Sequence, residues 1–214
     1  IISNPNCATI IGLVPLYPLH KAAGAKRIIA STYQAASGAG LPGLTSLKNQ
    51  MADVVAGRKV TETVPFAYQL AVNLIPQIGG FDEIGYTSEE MKMQNEGRKI
   101  MHLPELRVNC TCVRVPIMRS HSESITVEFE RPLSPDEARA ILEDAPGIKV
   151  VDNPAELQYP MPLDTSDQDL IYVGRIREDL SADKDTNALT FFCCGDQIRK
   201  GAATNAVQIA EYLL

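Results

Sequence analysis

The sequence contains no tryptophan, only 6% aromatic residues and no run of basic residues. Its 20 Lys and Arg residues are outnumbered by 26 Asp and Glu residues, which gives a formal net charge of -6. Because proteins that bind nucleic acid carry clustered basic residues, we expect no nucleic-acid partner. Apolar runs such as residues 10–16 are far shorter than the roughly 18 residues that a membrane span needs, so we expect no membrane partner either.

The chain also begins without methionine and without a basic, apolar signal pattern, so we interpret its first residues as lying within a fold. Its five cysteines are an odd number with no framework spacing, which favours a reducing compartment and leaves at least one thiol free. Four of them raise the question of a zinc site: Cys110, Cys112, Cys193 and Cys194. Residues two apart on a strand share a face whereas adjacent residues do not, so we predict no metal site.

What the sequence does contain is enough apolar material, 45% of 214 residues, for one domain over residues 1–214. Apolar periodicity and capping residues predict helices from the polar cluster 3–6 to about residue 24, and at 44–55, 87–101, 134–145 and 199–214. Pro15 should kink the first helix near Ile11. Strands are predicted at 27–33, 107–116, 124–130, 170–177 and 188–194, whereas residues 66–80 show no clean period. This order favours an α+β domain with a largely antiparallel or mixed sheet and helices packed on one face.

Cys7 follows Ser3-Asn4-Pro5-Asn6 in the first turn of the first predicted helix. The unpaired amide groups and the dipole of a helix N-terminus stabilise an anion and should therefore lower the pKa of a thiol there. A thiolate attacks carbonyl and acyl carbons, so Cys7 is a candidate nucleophile. The alternative is that Cys7 is a small buried residue without a chemical role, as free cysteines often are.

The segment ISNPNCAT resembles the active-site segment of aspartate-β-semialdehyde dehydrogenases, and four further segments resemble successive signatures of that family. These segments are STYQAASGAG, EEMKMQNEGRKIM, CVRVPIMRSHSES and KGAATNAVQIAE. The resemblance implies a fold similar to the C-terminal domain of glyceraldehyde-3-phosphate-dehydrogenase-like enzymes. It also implies a homodimer, NADP as cofactor, and a location in the cytoplasm, or in the plastid stroma for a plant protein.

In that family the cysteine that matches Cys7 attacks β-aspartyl phosphate, which releases phosphate and forms a thioester. A hydride from NADPH converts the thioester to aspartate semialdehyde, a precursor in lysine, methionine and threonine biosynthesis. The resemblance therefore makes Cys7 the catalytic nucleophile.

The resemblance assigns an acid/base role to His121 and substrate binding to Arg114, because the family has its acid/base histidine seven residues after a substrate-binding arginine. His121 lies in a polar stretch between two predicted strands, where a solvent-reachable imidazole could exchange protons near neutral pH. Arg114 lies in an alternating strand, and its planar guanidinium could bind the substrate α-carboxylate through two hydrogen bonds. Without the resemblance these would be a turn histidine and a surface charge.

Four further residues take substrate-facing roles by the same resemblance. Gln34 positions the substrate and the thioester near the nucleophile, a task that suits an amide because it both donates and accepts. Glu89 recognises the substrate ammonium, whereas Lys92 and Asn6 face its phosphate. Glu89, Lys92 and Glu96 also fall on one face of a predicted helix, where an exposed ladder of ion pairs is the alternative interpretation.

Residues 37–43 contain G-x-G-x-x-G after a predicted strand and before a predicted helix, the context of a dinucleotide-binding loop. Four residues separate this stretch from the strand, and Pro42 stands where such a loop should enter its helix, so we do not interpret it as that loop. The resemblance instead places Gly38 and Gly40 beside the nicotinamide end of NADP and Asn205 near the nicotinamide amide.

A complete family member opens with a nucleotide-binding domain, so the resemblance implies a catalytic and dimerisation portion that is nearly inactive alone. The closing helix, residues 199–214, has an apolar stripe that we expect to pack on that other domain. Two alternatives stay open. An N-acetylglutamyl-phosphate reductase shares the thioester chemistry but normally has glycine before its cysteine, where this chain has Asn6. The chain could also act only as a non-catalytic dimerisation module.

Overall fold

A computed structural model describes residues 1–214, and its centre is one mixed six-stranded sheet. The strands are β1 (Ala25–Gln34), β2 (Arg107–Arg114), β3 (His121–Phe129), β4 (Ile148–Val150), β5 (Ile171–Glu178) and β6 (Asn187–Gly195). Their order across the sheet is β2-β1-β3-β6-β5-β4. The pairs β1 with β2 and β4 with β5 are parallel, and the remaining neighbours are antiparallel. The predicted α+β class with a largely antiparallel or mixed sheet is confirmed.

The helices are α1 (Cys7–Ala23), α2 (Gly40–Val55), α3 (Ser88–Ile100), α4 (Pro135–Glu143), α5 (Pro162–Thr165) and α6 (Thr204–Tyr212). Helix α1 contacts both α3 and α4, and all three contact the sheet, so they form the helical layer expected on one face. The core between this layer and the sheet includes Ile11, Leu16, Ile125, Phe129 and Phe191. Helix α2 packs on a smaller apolar cluster that includes Leu47, Leu70 and Ile75.

Helix α1 has a well-defined start and end. The side chain of Asn6 accepts hydrogen bonds from the backbone N–H groups of Ala8 and Thr9, which fixes the start of the helix at Cys7. Gly24, with a φ of 75°, ends the helix in a left-handed conformation that glycine adopts at little cost. Pro15 lies within this single continuous helix, so the kink expected near Ile11 does not divide the element.

Several element boundaries differ from the sequence-based expectations. The glycine-rich stretch is helical, because a 3₁₀ turn (Ala36–Ala39) leads directly into α2, which begins at Gly40 rather than near residue 44. Strand β3 begins at His121, three residues earlier than expected, because it pairs with β1 and β6 on both sides. The closing helix starts as a π-helical turn (Arg199–Ala203) before α6. The short elements β4 and α5 were not predicted.

The four cysteines other than Cys7 lie on strands β2 and β6. Cys110 and Cys112 are both buried on β2, with their sulfur atoms 3.7 Å apart. On β6 the sulfur of Cys194 lies 3.1 Å from the hydroxyl of Ser122, whereas that of Cys193 faces the carbonyl of Ile11 on α1. The adjacent pair therefore points to opposite faces of the sheet.

The sheet face opposite α1 leaves apolar side chains open on β1. Ile29 and Tyr33 are 37% and 38% exposed, in alternation with buried neighbours that face the helices. The ring of Tyr33 lies 6.1 Å from the ring of Phe192 on β6, so the two begin an apolar patch on this face. None of the helices combines the length and the apolar character needed to cross a bilayer.

Candidate active site

The sulfur of Cys7 lies at the N-terminus of α1 and faces the imidazole of His121. The two groups are 114 residues apart in the chain, yet the distance from Cys7 Sγ to His121 Nε2 is 3.5 Å. Gly201 borders the same site, because a Cβ atom added to it would lie 3.2 Å from the Cβ of Cys7. The pairing of β3 in the centre of the sheet and the capped start of α1 thus bring together the predicted nucleophile and the predicted acid/base residue.

His121 is the first residue of β3 and has no solvent-exposed surface. The expectation of a solvent-reachable turn histidine is wrong, because Cys7, Gln34 and Ala35 lie against the ring. Its Nδ1 accepts a hydrogen bond of 3.0 Å from the backbone N–H of Ala35. A nitrogen that accepts cannot carry a proton, so the single proton of the neutral ring lies on Nε2, toward Cys7.

Arg114 ends β2 and is buried, so the alternative of a surface charge does not hold. Its Nη1 donates a hydrogen bond of 2.7 Å to the carbonyl oxygen of Ala35, the residue whose N–H holds His121. Gly38 makes room for both side chains, because an added Cβ would lie 2.6 Å from Arg114 Nη1 and 3.0 Å from His121 Cε1. The guanidinium and the imidazole therefore meet beneath the glycine-rich turn.

Helix α3 contributes an anionic side to the site. Its first-turn residue Glu89 is buried and accepts hydrogen bonds from Asn6 Nδ2 at 3.0 Å and from Gln34 Nε2 at 3.1 Å. The Nζ of Lys92, which is half-exposed, lies 3.2 Å from the second oxygen of Glu89. Glu96, one turn further along, accepts from the backbone N–H of Asn6. The face of α3 that the sequence singled out therefore points to the start of α1 and is not an exposed ladder of ion pairs.

Burial raises the pKa of the Cys7 thiol to about 12, and the carboxylate of Glu89 adds to this rise. The backbone amide of Ala8 and the guanidinium of Arg114 act in the opposite direction but are outweighed. The amide of Ala8 at the helix N-terminus thus lowers the pKa of Cys7 as expected, but burial and Glu89 outweigh it and the net pKa is raised. The free-energy cost of desolvating the thiolate is larger than the stabilisation that the Ala8 amide and the Arg114 guanidinium provide.

The pKa of His121 lies well below its ordinary value, because the ring is fully buried and a nearby cation, Arg114, opposes a second positive charge. The ring is therefore neutral at physiological pH. Together, the site contains a thiol, a neutral Nε2–H donor, a guanidinium and a carboxylate. Such a set can place a nucleophile against an acyl group, donate a hydrogen bond to a developing oxyanion and bind a carboxylate.

Two residues singled out in the sequence do not join this cluster. Gly40 begins α2, and an added Cβ there would approach only Pro42. Asn205, near the start of α6, donates from Nδ2 to Asn4 Oδ1 at 2.8 Å and accepts from Lys200. It lies beside the segment that precedes α1 and lines a groove of about 860 Å³ with Pro5, away from His121 and Arg114.

Sequence reasoning missed three residues of this region. Gly201, on the π-helical turn, closes the site over Cys7. Gln197 is buried and accepts from the backbone N–H of Ser120, which supports the turn before His121. Glu123 follows His121 on the same face of β3, is fully buried, and neither of its carboxyl oxygens has a hydrogen-bond partner. Only Glu123 carried a signal, as an acidic residue at an inward position of an alternating strand.

The mixed sheet and the cluster of Cys7, His121 and Arg114 agree with the family that a comparison with known protein families identifies. The profile described as "Semialdehyde dehydrogenase, dimerisation domain" matches residues 16–200, so the chain belongs to this family. Cys7 lies just ahead of the matched residues.

The curated relatives to which the chain is similar are named aspartate-semialdehyde dehydrogenases. The enzyme of that name from Aquifex aeolicus is 49% identical over 214 residues, which is the whole of this chain and 62% of the relative. The one from Campylobacter jejuni is 51% identical over 213 residues, which is 99% of this chain and 61% of the relative. The chain thus spans about three fifths of the length of these curated relatives.

Solved structures agree with this result. Aspartate semialdehyde dehydrogenase II from Vibrio cholerae, complexed with ASA, is similar with a TM-score of 0.93 and 42% identity, covering all of this chain and 62% of that one. The Candida albicans enzyme with NADP has a TM-score of 0.72 and 26% identity, covering all of this chain and 57% of that one.

Proposed function

We propose that the chain is the catalytic and dimerisation portion of an NADP-dependent aspartate-semialdehyde dehydrogenase. In this proposal the whole protein reduces β-aspartyl phosphate to aspartate semialdehyde and phosphate through a thioester on Cys7. The observation that carries the proposal is the 3.5 Å approach of Cys7 Sγ to His121 Nε2, with the guanidinium of Arg114 beside the same glycine, Gly38, as the ring. Relatives that share this whole chain bear the same enzyme name.

The acylation step needs a thiolate, an oriented acyl group and a place for negative charge. The thiolate of Cys7 attacks the acyl carbon, the bond from that carbon to the phosphate oxygen breaks, and the phosphate leaves with the bonding electrons. The Nε2–H of His121 points at the sulfur and can donate a hydrogen bond to the oxyanion that forms beside it. His121 thus acts as a hydrogen-bond donor that stabilises the oxyanion in this step, beside the acid/base role that the resemblance implies.

The substrate roles follow from the charges of the neighbouring side chains. Arg114 binds the α-carboxylate through its planar guanidinium, and Glu89 binds the α-ammonium. Lys92 is half-exposed at the edge of the cluster, where it can reach the phosphate. Asn6 uses its side-chain oxygen to cap α1 and its amide nitrogen to hold Glu89, so its contact with phosphate would require a rearrangement. Gln34 holds Glu89 and touches the ring of His121.

The residues of this chain do not form a dinucleotide site by themselves. The G-x-G-x-x-G stretch is a 3₁₀ turn and the start of α2, and Gly38 faces Arg114 and His121 and not an open phosphate cradle. We therefore assign NADP binding to the part of the protein that corresponds to the unmatched length of the relatives. Gly38 lies beside His121 and Gly201 lies beside Cys7, so both would border the nicotinamide. Gly40 and Asn205 lie outside the cluster around Cys7.

The proposed homodimer would use the open face of the sheet. The family is a dimerisation domain, and the patch that begins with Ile29, Tyr33 and Phe192 is apolar enough to need a cover. A second copy of this chain would provide that cover in an isologous contact.

Steady-state turnover of β-aspartyl phosphate with NADPH tests the proposal. We expect no detectable turnover from residues 1–214 alone, and robust turnover once the amino-terminal portion of the protein is present. Replacement of Cys7 by alanine in that longer protein should abolish turnover, whereas Cys193→Ala should retain most of it. Full activity of the Cys7→Ala protein would overturn the proposed function.

A further inference from the structure

We propose that Glu96 is a positioning residue for the nucleophile. Its carboxylate holds the backbone of Asn6 and, through Asn6, keeps the sulfur of Cys7 facing His121. Glu96 lies on α3 and makes no hydrogen bond to Cys7 itself. The consequence for turnover rests on the proposed function, whereas the effect on the position of the sulfur concerns only the residues of this chain.

The carboxylate of Glu96 contacts the segment that leads into the nucleophile directly. Its Oε2 accepts a hydrogen bond of 2.8 Å from the backbone N–H of Asn6, a residue 90 positions away in the sequence. A hydrogen bond from an amide to a carboxylate is stronger than one between neutral groups. Glu96 forms no ion pair and accepts no other hydrogen bond from the protein, so Asn6 is its only polar partner.

The polar groups of Asn6 divide into those that bind within α1 and those that bind outside it. Its carbonyl accepts from the N–H of Ile10, and its side-chain oxygen accepts from the N–H groups of Ala8 and Thr9. These bonds define where α1 starts but not where that start lies in the protein. The side-chain amide and the backbone N–H of Asn6 reach outside the helix, and both bind α3.

The two bonds to α3 are not equivalent, because Glu89 has other partners and Glu96 does not. Oε1 of Glu89 accepts from Gln34 as well as from Asn6, and its Oε2 lies 3.2 Å from Nζ of Lys92. A substrate ammonium that binds Glu89 would compete with all three donors for these oxygens. The bond to Glu96 takes no part in that exchange, so it can hold Asn6 while Glu89 changes partners.

The position of Asn6 determines where the sulfur of Cys7 lies, because the two residues are adjacent in the chain. The sulfur is 3.5 Å from Nε2 of His121, which is close enough for small movements to matter. A displacement of about 1 Å at a reacting group can lower a rate by roughly a hundredfold. A first turn without its anchor on α3 would move the sulfur away from the imidazole and expose it to water.

Alkylation of Cys7 by iodoacetamide, followed by peptide mass spectrometry from neutral to alkaline pH, tests the position of the sulfur without substrate. Glu96→Ala in the full-length protein removes the anchor. Because burial raises the pKa of the Cys7 thiol, a released sulfur should have a lower pKa and react about tenfold faster or more at neutral pH.

Glu96→Gln separates the anchor from the charge in the same assay. It removes the charge but keeps an oxygen that can accept from the N–H of Asn6, so alkylation of Cys7 should stay within about twofold of the wild-type rate. An unchanged pH profile for Glu96→Ala, or equal changes in the two variants, would overturn the proposal.

Glu137→Ala is the matched control for a loss of stability alone. Oε2 of Glu137 accepts from the backbone N–H of Ser134, the N-cap of α4, at 2.8 Å, just as Glu96 accepts from the N-cap of α1. The control should lower the urea midpoint of unfolding without changing the alkylation of Cys7. An equal rise in alkylation for Glu137→Ala would show that general destabilisation exposes the sulfur, which would overturn the proposal.

Steady-state kinetics with β-aspartyl phosphate and NADPH test the consequence for turnover. We expect Glu96→Ala to lower kcat by roughly tenfold or more and to change KM by less than about twofold, because Glu96 positions the nucleophile and does not bind the substrate. Glu96→Gln should restore most of the rate. An unchanged kcat for Glu96→Ala, or a rise in KM larger than the fall in kcat, would overturn the proposal. A full-length protein that shows the alkylation change but no turnover would refute the proposed function and leave the anchoring of Cys7 intact.

Discussion

A glycine determines how closely the reactive side chains can approach one another. Arg114 and His121 come from different strands, and both lie where a Cβ atom on residue 38 would be. Without that atom, the guanidinium can hold the carbonyl of Ala35 while the N–H of the same residue holds the imidazole. One backbone unit therefore orients both residues, which explains why a small displacement at Gly38 should be costly.

Gly38→Ala in the full-length protein should lower kcat/KM for β-aspartyl phosphate by roughly a hundredfold, because the added methyl group displaces Arg114 and tilts His121. Steady-state kinetics measure the effect. Gly80→Ala is the control, since nothing lies within 4 Å of its added Cβ, and it should be nearly neutral. Unchanged kinetics of Gly38→Ala would show that the two side chains do not need their observed positions.

Glu123→Gln should change the pH dependence of stability. The pKa of Glu123 is raised in the folded protein, so its contribution is favourable below the ordinary carboxyl pKa and is lost as the pH rises toward the raised value. Relative to wild type, the variant should gain on the order of 1.4 kcal/mol per pH unit across that window. Urea unfolding at acidic and mildly alkaline pH measures the gain, with Glu83→Gln, an exposed loop residue, as the control. A constant difference at all pH values would contradict a neutral buried Glu123.

Helix α1 shows how much an element's position can be predicted from its sequence. The polar residues before Cys7 and Gly24 after the apolar series correctly predict where the helix starts and stops. The patterns also identify the strands that carry Arg114 and His121. They do not predict that His121 is buried, because the polar residues around it are typical of a turn. The residues that lie against its ring, such as Cys7 and Ala35, are distant in the sequence. Nor do the patterns predict the pKa of Cys7, which depends on desolvation by distant segments.

Asn6→Ala should uncouple the start of α1 from the site. Loss of the cap should cost about 1 kcal/mol of the free energy of unfolding, and the freed first turn should misplace Cys7 and lower kcat more than tenfold. Ser134→Ala is a matched control, because Ser134 caps α4 in the same way but lies far along the chain from the site. Denaturant unfolding and kinetics separate the two effects. Equal losses of stability with equal, small losses of kcat would refute a special role for the α1 cap.

At the scale of the whole molecule, two apolar surfaces lack a cover within these 214 residues. One is the patch on the sheet defined by Ile29, Tyr33 and Phe192, and the other is the stripe on α6, which has no buried residue and leaves Val207 exposed. If the closing helix packs on another domain, its apolar side chains should be exposed in these residues, as they are on α6. The relatives are longer than this chain, which supports that proposal.

Tyr33→Asp should convert the proposed homodimer into monomers, because a carboxylate would be buried without a partner in an isologous contact. Sedimentation velocity measures the change. Val55→Asp, at the exposed end of α2, should leave the dimer intact. A dimer that tolerates Tyr33→Asp would place the interface elsewhere.

The most direct test of the central claim is the site of acylation. The protein, incubated with β-aspartyl phosphate without NADPH and analysed by intact and peptide mass spectrometry, should carry one aspartyl group on Cys7. Hydroxylamine should remove this group, and Cys7→Ala should prevent its formation. An aspartyl group on another residue, or equal labelling of the Cys7→Ala protein, would contradict the account of Cys7 as the nucleophile.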